Sequence, residues 1–359
     1  MSQLRSSILG AVVVSFACGS KDPSQGETGS TSSDSTGAPT STDPSATTTS
    51  PGTTSIDETG PSTTTEAVDT STSGDSTGDT PIVLDGSCPL ETRVGGFTLL
   101  AEADYTAFSG TVADGVVPVT VLELVGEGAG CTLLRRNNPF CDPLCTPGTT
   151  CDFDGTCIPY PANHDVGVVE VSGLLQAVSI DPTPPNFNYF DTQLPHPAWD
   201  PSSPIVLTAA GGDYEPFELH GLGVTMIEPT ADMLTLAADE PLPVEWTAGD
   251  GEARVFVSLN VDQHGLTPVT LFCEVPDTGS LEVPADLITS FLEFGISGYP
   301  VAHYYRQTSD SVEIEPGCVE FLVRTHQQTA LSVEGHTPCD SPDDCPKGQT
   351  CDLVLQTCM

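Results

Sequence analysis

Ala253-Arg254-Val255-Phe256-Val257-Ser258-Leu259 is the stretch that decides the fold. Successive side chains of an extended strand point to opposite faces. Ala253, Val255, Val257 and Leu259 therefore share one face, and Arg254, Phe256 and Ser258 share the other. The same period of two recurs in Val269, Leu271, Cys273 and Val275 against Thr270, Phe272 and Glu274. It recurs again in Val319, Phe321 and Val323 against Glu320, Leu322 and Arg324. Each reads as a strand buried on one side.

Working outward, Val117 to Leu124 and Cys131 to Arg135 bracket Gly126-Glu127-Gly128-Ala129-Gly130, which reads as a hairpin with a glycine turn. Val166 to Val171 and Leu174 to Ile180 continue the pattern. Val244 and Trp246 share a face, which sets a tryptophan in the core as Ig-like sandwiches do. Short strands at near-regular spacing predict a mainly β fold, an Ig-like or jelly-roll-like sandwich. One helix is expected: Pro284 suits a first turn, Ala285 to Phe294 is apolar at helical spacing, and Gly295 ends it.

Thirteen cysteines punctuate the chain of 359 residues. Cys18 follows a short apolar run, and the other twelve form an even set, as expected of six disulfides in an exported protein. Residues 1–17 carry Arg5 and then Ile8 to Ala17, too short for a span of roughly 20 residues but suited to a signal peptide. Ser15-Phe16-Ala17-Cys18 resembles a lipobox, in which Cys18 is lipidated and becomes the mature N-terminus. Ser15-Phe16-Ala17 also fits ordinary cleavage, which leaves the chain unlipidated. A long tether after Cys18 favours the anchored form.

That tether covers residues 18–81. Between Asp22 and Thr80 it holds ten acidic residues, no Lys or Arg, and only Ile56 and Val68 as large aliphatics. Such a composition cannot bury enough apolar surface to offset the entropy of ordering it. The whole chain has 50 acidic against 9 basic residues, a net charge of −41. Phosphate backbones need Lys and Arg to neutralise them, so a nucleic-acid partner is excluded, as is direct docking on anionic lipid.

Eight cysteines form two modules. Cys141, Cys145, Cys151 and Cys157 lie in residues 138–160, and Cys339, Cys345, Cys351 and Cys358 in residues 337–359. Cys145, Gly148, Thr150, Cys151 and Asp152 match Cys345, Gly348, Thr350, Cys351 and Asp352 in one register. A unit of about twenty residues cannot build its own core, so covalent closure must hold it. Zinc sites pair ligands at shorter spacings, and neither module contains His, so disulfides are expected. Of three connectivities, the expected one is first-to-third and second-to-fourth, as in EGF-like folds: Cys141–Cys151, Cys145–Cys157, Cys339–Cys351 and Cys345–Cys358. For the remaining four, Cys88–Cys131 should close the first β region (82–137) and Cys273–Cys318 should cross the main sandwich (161–336). The lipobox-like Cys18, the Ser/Thr/Asp tether and the CPKGQTC-type module together resemble the cysteine-rich surface lipoproteins of myxobacteria. That resemblance implies a location and no chemistry.

Catalytic signals are sparse. Asp277-Thr278-Gly279-Ser280 has the form of an aspartic-protease motif, but that chemistry needs two carboxylates sharing a proton. Outside the tether there is no second Asp-Thr/Ser-Gly, so this stretch reads as a hairpin turn between strands. His264 is the one candidate base or ligand, with nearby Asp side chains as partners. Asp152-Phe153-Asp154-Gly155 is like part of a calcium loop without its other ligands, and reads as a turn. No cofactor is expected beyond that calcium alternative.

The loop from Asp181 to Pro204 holds seven prolines with Phe187, Tyr189, Phe190, His196 and Trp199. Long loops inside domains are commonly functional. Phe187, Tyr189, Phe190 and Trp199 are thus the candidate ligand-binding residues; the competing reading packs them back onto the sandwich. The expected function is non-catalytic binding or adhesion to a glycan or protein at the cell surface. A secreted hydrolase without linear motifs and a structural envelope protein are the alternatives.

Overall fold

The computed structural model describes residues 82–137, 139–249, 251–262 and 269–359. Residues 1–17, Cys18, the tether and His264 lie outside the described residues.

The alternating segments form strands. In chain order these are β1 (Arg93–Ala101), β2 (Thr106–Val112), β3 (Leu122–Gly128), β4 (Cys131–Arg136), β5 (Thr149–Cys151) and β6 (Cys157–Pro159). There follow β7 (Val169–Ser172), β8 (Val178–Ile180), β9 (Tyr189–Asp191), β10 (Pro204–Ala209), β11 (Phe217–Leu222), β12 (Met233–Leu236) and β13 (Leu242–Glu245). The rest are β14 (Arg254–Asn260), β15 (Val269–Pro276), β16 (Ser280–Val283), α1 (Ala285–Leu292), β17 (Val301–Glu313), β18 (Cys318–Val333), β19 (Cys351–Asp352) and β20 (Thr357–Cys358).

A ten-stranded sheet runs β3-β4-β15-β14-β17-β18-β1-β2-β9, with β12 also on β18. β17 and β18 form a long antiparallel hairpin, from Val301↔Ala330 to Glu313↔Cys318. β1 and β12 both run parallel to β18, on separate lengths of it. A four-stranded sheet, β11-β10-β7-β8, covers part of the inner face. There Phe97, Leu99, Phe108, Phe321 and Val323 pack with Ile205, Leu207 and Leu219. The neighbouring part is closed by the β13–β16 pair and α1, which bury Val244, Trp246, Leu287, Ile288 and Phe291 against Val255, Val257, Leu259 and Leu271. The fold is thus a mainly β, disulfide-stapled sandwich. At roughly 1.5–3 kcal/mol per large apolar side chain buried, these two clusters dominate its stabilisation.

Several expectations are refined. β14 is not half-exposed, because Phe256 on its outer face joins Leu90, Leu134, Phe272 and Tyr305 in a third, smaller cluster. The helix ends at Leu292, with Gly295 beyond it at φ 100°. β3 begins later than expected, after a single 3-10 turn at Pro118–Thr120, whereas β4 starts at Cys131 as expected. Their turn is only Ala129 (φ 51°) and Gly130 (φ 77°). Two positive φ values suit the right-handed twist of a tight hairpin. Asp277 to Gly279 form a turn but not a hairpin: β15 pairs with β4 and β14, whereas β16 pairs with β13.

The expected Cys88–Cys131 and Cys273–Cys318 bonds are replaced by Cys88–Cys318 and Cys131–Cys273. The reason is strand order. β4 lies beside β15 with Cys131 directly opposite Cys273. Cys88 precedes β1, whose parallel neighbour β18 begins at Cys318. In the modules the bonds are Cys141–Cys151, Cys145–Cys157, Cys339–Cys351 and Cys345–Cys358. Each module is a two-stranded hairpin, β5–β6 or β19–β20, in which the third and fourth cysteines face each other. The Asp shared by both modules directs the turn: Asp352 Oδ1 accepts from the amides of Val354 and Leu355, and Asp152 Oδ1 from that of Phe153.

Candidate functional site

The loop aromatics do not form a shelf. Trp199 is 2 % exposed and its Nε1 donates to the Val224 carbonyl at 3.0 Å. Tyr189 is buried at the start of β9, and its hydroxyl donates to the Gly167 carbonyl and accepts from the Val166 amide, both at 3.0 Å. Burial pushes its pKa up to about 12. Phe187 is half-buried, and only Phe190, at 64 %, is well exposed. Apolar area and satisfied polar tips draw Tyr189 and Trp199 into the sandwich, so the four candidate residues are not one binding surface.

Asp277 is a buried structural anchor. Its Oδ2 accepts from Arg306 Nε at 2.6 Å and its Oδ1 from Trp246 Nε1 at 2.7 Å. Sulfur atoms of Cys141, Cys145 and Cys157, and of Cys339, Cys345 and Cys351, gather within 4.8 Å. All six are in disulfides, so none supplies the thiolate that zinc requires. On the surface, His164 bridges Asp213 (3.0 Å) and Asp114 (3.3 Å). Hydrogen bonding to Asp213 raises its pKa, against a smaller opposing effect of burial.

The outer face of the large sheet carries the densest polar grouping. Alternation on β18 directs Val319, Phe321 and Val323 inward and leaves Glu320, Leu322, Arg324 and His326 outward. The register sets Tyr305 beside His326 and Gln307 beside Arg324. His326 Nδ1 lies 2.8 Å from both Glu102 carboxylate oxygens, and its Nε2 lies 3.0 Å from His303 Nδ1. One tautomer set satisfies both contacts: His326 donates to Glu102 and accepts from His303. Burial, and secondarily the charge of His326, hold the His303 pKa down at about 4. Tyr305 stacks on His326 at 4.6 Å, and the Arg324 guanidinium lies 4.9 Å from the centre of the Tyr305 ring. Among the described residues no hydroxyl or thiol hydrogen-bonds either imidazole.

Beside this stack a cleft of about 290 Å³ opens over β1 and β18. Arg93, Gly95, Gly96, Thr98, Glu320 and Arg324 line much of it. Its floor depends on glycine: a Cβ on Gly96 would lie 2.8 Å from Glu320 Cγ, and one on Gly95 would lie 2.1 Å from the Thr111 carbonyl oxygen. Glu320 is held by Arg93 Nη1 at 3.0 Å and the Cys88 amide at 3.2 Å. Arg324 is 8 % exposed, and among the described residues its Nε and Nη1 have no hydrogen-bond partner. Burial pushes its pKa down. The alternation of β18 marks Arg324 as outward-facing, but nothing in the sequence shows that β1 and β17 flank it.

No protein-family model and no curated protein matches the chain. Two solved structures align with much of it. The FN1–FN3 domains of chicken CNTN1 share 7 % identity over 62 % of this chain and 68 % of theirs, at a TM-score of 0.16. A tetra-tandem repeat in the extending region of a large adhesion protein shares 12 % identity over 68 % of this chain and 76 % of its own, at 0.15. Superpositions this loose transfer neither architecture nor role, and the sandwich stands on its own strand order.

Proposed function

We propose that this chain is exported and held at the cell surface, where its sandwich has a non-catalytic binding role toward a glycan or protein of the envelope. Residues 1–17 are the removed signal, Cys18 carries the lipid, and residues 18–81 lift the head off the membrane. This matches the layout of the myxobacterial cysteine-rich surface lipoproteins that the sequence resembles. The observation that carries the reading is the set of six disulfides. Such bonds persist in oxidising compartments outside the cytosol. The small modules, with exposed Phe140, Leu144, Leu353 and Val354, need them to stay closed. The acidic charge suits a soluble head near a membrane that it does not touch.

The test is cell fractionation combined with the intact mass of the mature chain. Lipid on Cys18 and release of a Cys18→Ser variant into the medium support the proposal. An unprocessed chain in the cytosol contradicts it. A glycan and protein array probed with the full chain then asks for a binding partner.

A further inference from the structure

We propose that the cleft over β1 and β18 binds the carboxylate of an acidic sugar, with Arg324 as the anchoring residue. This rests on the binding role proposed above and gives it a site and a ligand class.

The first argument is the state of Arg324. A buried cation is ordinarily paired and hydrogen-bonded, because desolvation is otherwise uncompensated. Arg306, on the inner face, obeys that rule through Asp277, Thr225 and Met226. Arg324 does not: it lies over the face of Tyr305 with the charges of Glu320 and Glu102 acting on it, but its Nε and Nη1 have no hydrogen-bond acceptor among the described residues. The carboxylate that lines the same cleft, Glu320, is already engaged by Arg93 and Cys88. A buried cation this poorly paired, on the wall of a cleft, marks a place where an external anion belongs.

The second argument is charge. The ionised side chains lining the cleft are Arg93, Arg324 and Glu320, two positive and one negative. The site is therefore a single net positive charge on a chain whose net charge is −41. One monoanion neutralises it, whereas a phosphate dianion would leave an excess.

The third argument concerns the remaining walls. Thr98 and Thr111 line the cleft, and among the described residues neither hydroxyl has a hydrogen bond to the protein. Asn163 also lines it, with its amide nitrogen on the Asn186 carbonyl, which leaves its side-chain oxygen as an acceptor. Val117 and Leu322 offer apolar edges. Hydroxyls, an amide oxygen and small apolar edges suit the alternating O–H and C–H groups of a sugar ring. A volume near the low end of ligand pockets, about 300–1,000 Å³, fits one ring rather than a long segment.

The experiment is calorimetric titration of the full, disulfide-intact chain with methyl glucuronoside. The comparison ligands are methyl glucoside, the methyl ester of the glucuronoside, glucose 6-sulfate and N-acetyl-aspartate amide. The proposal expects the glucuronoside to bind at least about 10-fold more tightly than each of them, the size of a charged hydrogen bond lost. Arg324→Met should abolish that preference while keeping or raising the melting temperature, because it removes an unpaired buried charge. Thr98→Val should weaken glucuronoside binding about 3-fold or more in a chain that melts like the parent, and this decides the matter should Arg324→Met not fold. Equal binding of glucuronoside and glucoside, preference for the sulfate or the aspartate, or unchanged binding by Arg324→Met would overturn the inference. Refusal of every probe by a chain with lipidated Cys18 and intact disulfides would also overturn it while leaving the surface role standing. A cytosolic, reduced chain would remove that role whatever the titration gives.

Discussion

Arg306 and Arg324 lie on adjacent strands of one hairpin and face opposite ways, and their contrast shows what burial demands of a cation. Arg306 points into the core, where Nε donates to Asp277 and Nη1 donates to Thr225 Oγ1 (2.9 Å) and the Met226 carbonyl (2.8 Å). Nη2 reaches the Thr247 carbonyl. Asp277→Asn leaves that guanidinium without its counter-charge and should lower stability by about 3–5 kcal/mol in urea unfolding. A loss under about 1 kcal/mol would show that the clasp is incidental. His303 supplies a pH prediction. Its folded pKa is near 4 against an ordinary 6.5, so between those values the unfolded chain binds the extra proton. Stability should therefore fall as pH drops through that window and be indifferent to this group above it. His326 and Glu102, the titratable neighbours that act on His303, remain in a His303→Gln variant. Between pH 7 and pH 5 that variant should lose roughly 2 kcal/mol less than the parent. An identical slope for both would contradict the buried neutral imidazole. At this scale the sequence placed Asp277 between two strands, though not in the hairpin expected, and its partner Arg306 is 29 residues away, so no local pattern joins the two.

Among elements, the alternating strands were legible and their neighbours were not. The period of two in Arg254–Asn260 identifies a strand and its inner face. Burial of Phe256 and Phe272 on the outer face depends on Leu90, Leu134 and Tyr305 arriving from distant segments. The loop at residues 181–204 shows the same limit. Its prolines and aromatics are compatible with a display surface or a braced plug, and only the packing of Tyr189 and Trp199 into the core between the sheets decides for the plug. Trp199→Ala should then act as a core truncation, costing about 3–5 kcal/mol by chemical denaturation. A fully stable variant would mean that the indole is not part of the core. Gly110 gives a second element-level check, because a Cβ there would lie 2.2 Å from Phe97 Cδ1. Gly110→Ala should destabilise by about 1–3 kcal/mol through overpacking between β1 and β2.

For the whole molecule, the cysteines carry the most information. The repeated register of the two modules is local, so their closure could be anticipated from spacing. The other two bonds join residues 230 and 142 positions apart. They follow from the parallel β1–β18 pair and from β4 lying beside β15, which period-two patterns do not encode. The Arg324 cleft was hidden for the same reason, since it exists only where β1, β2 and β18 meet. Replacing Cys88 and Cys318 together by Ser should cost roughly 2–5 kcal/mol, because the bond closes most of the folded chain into one loop. The most direct test of the account is peptide mapping of the native, unreduced protein by mass spectrometry. It should yield Cys88 linked to Cys318, Cys131 linked to Cys273, and first-to-third and second-to-fourth links in each module. Free sulfhydryls at these positions, bound metal, or a Cys88–Cys131 link would contradict it.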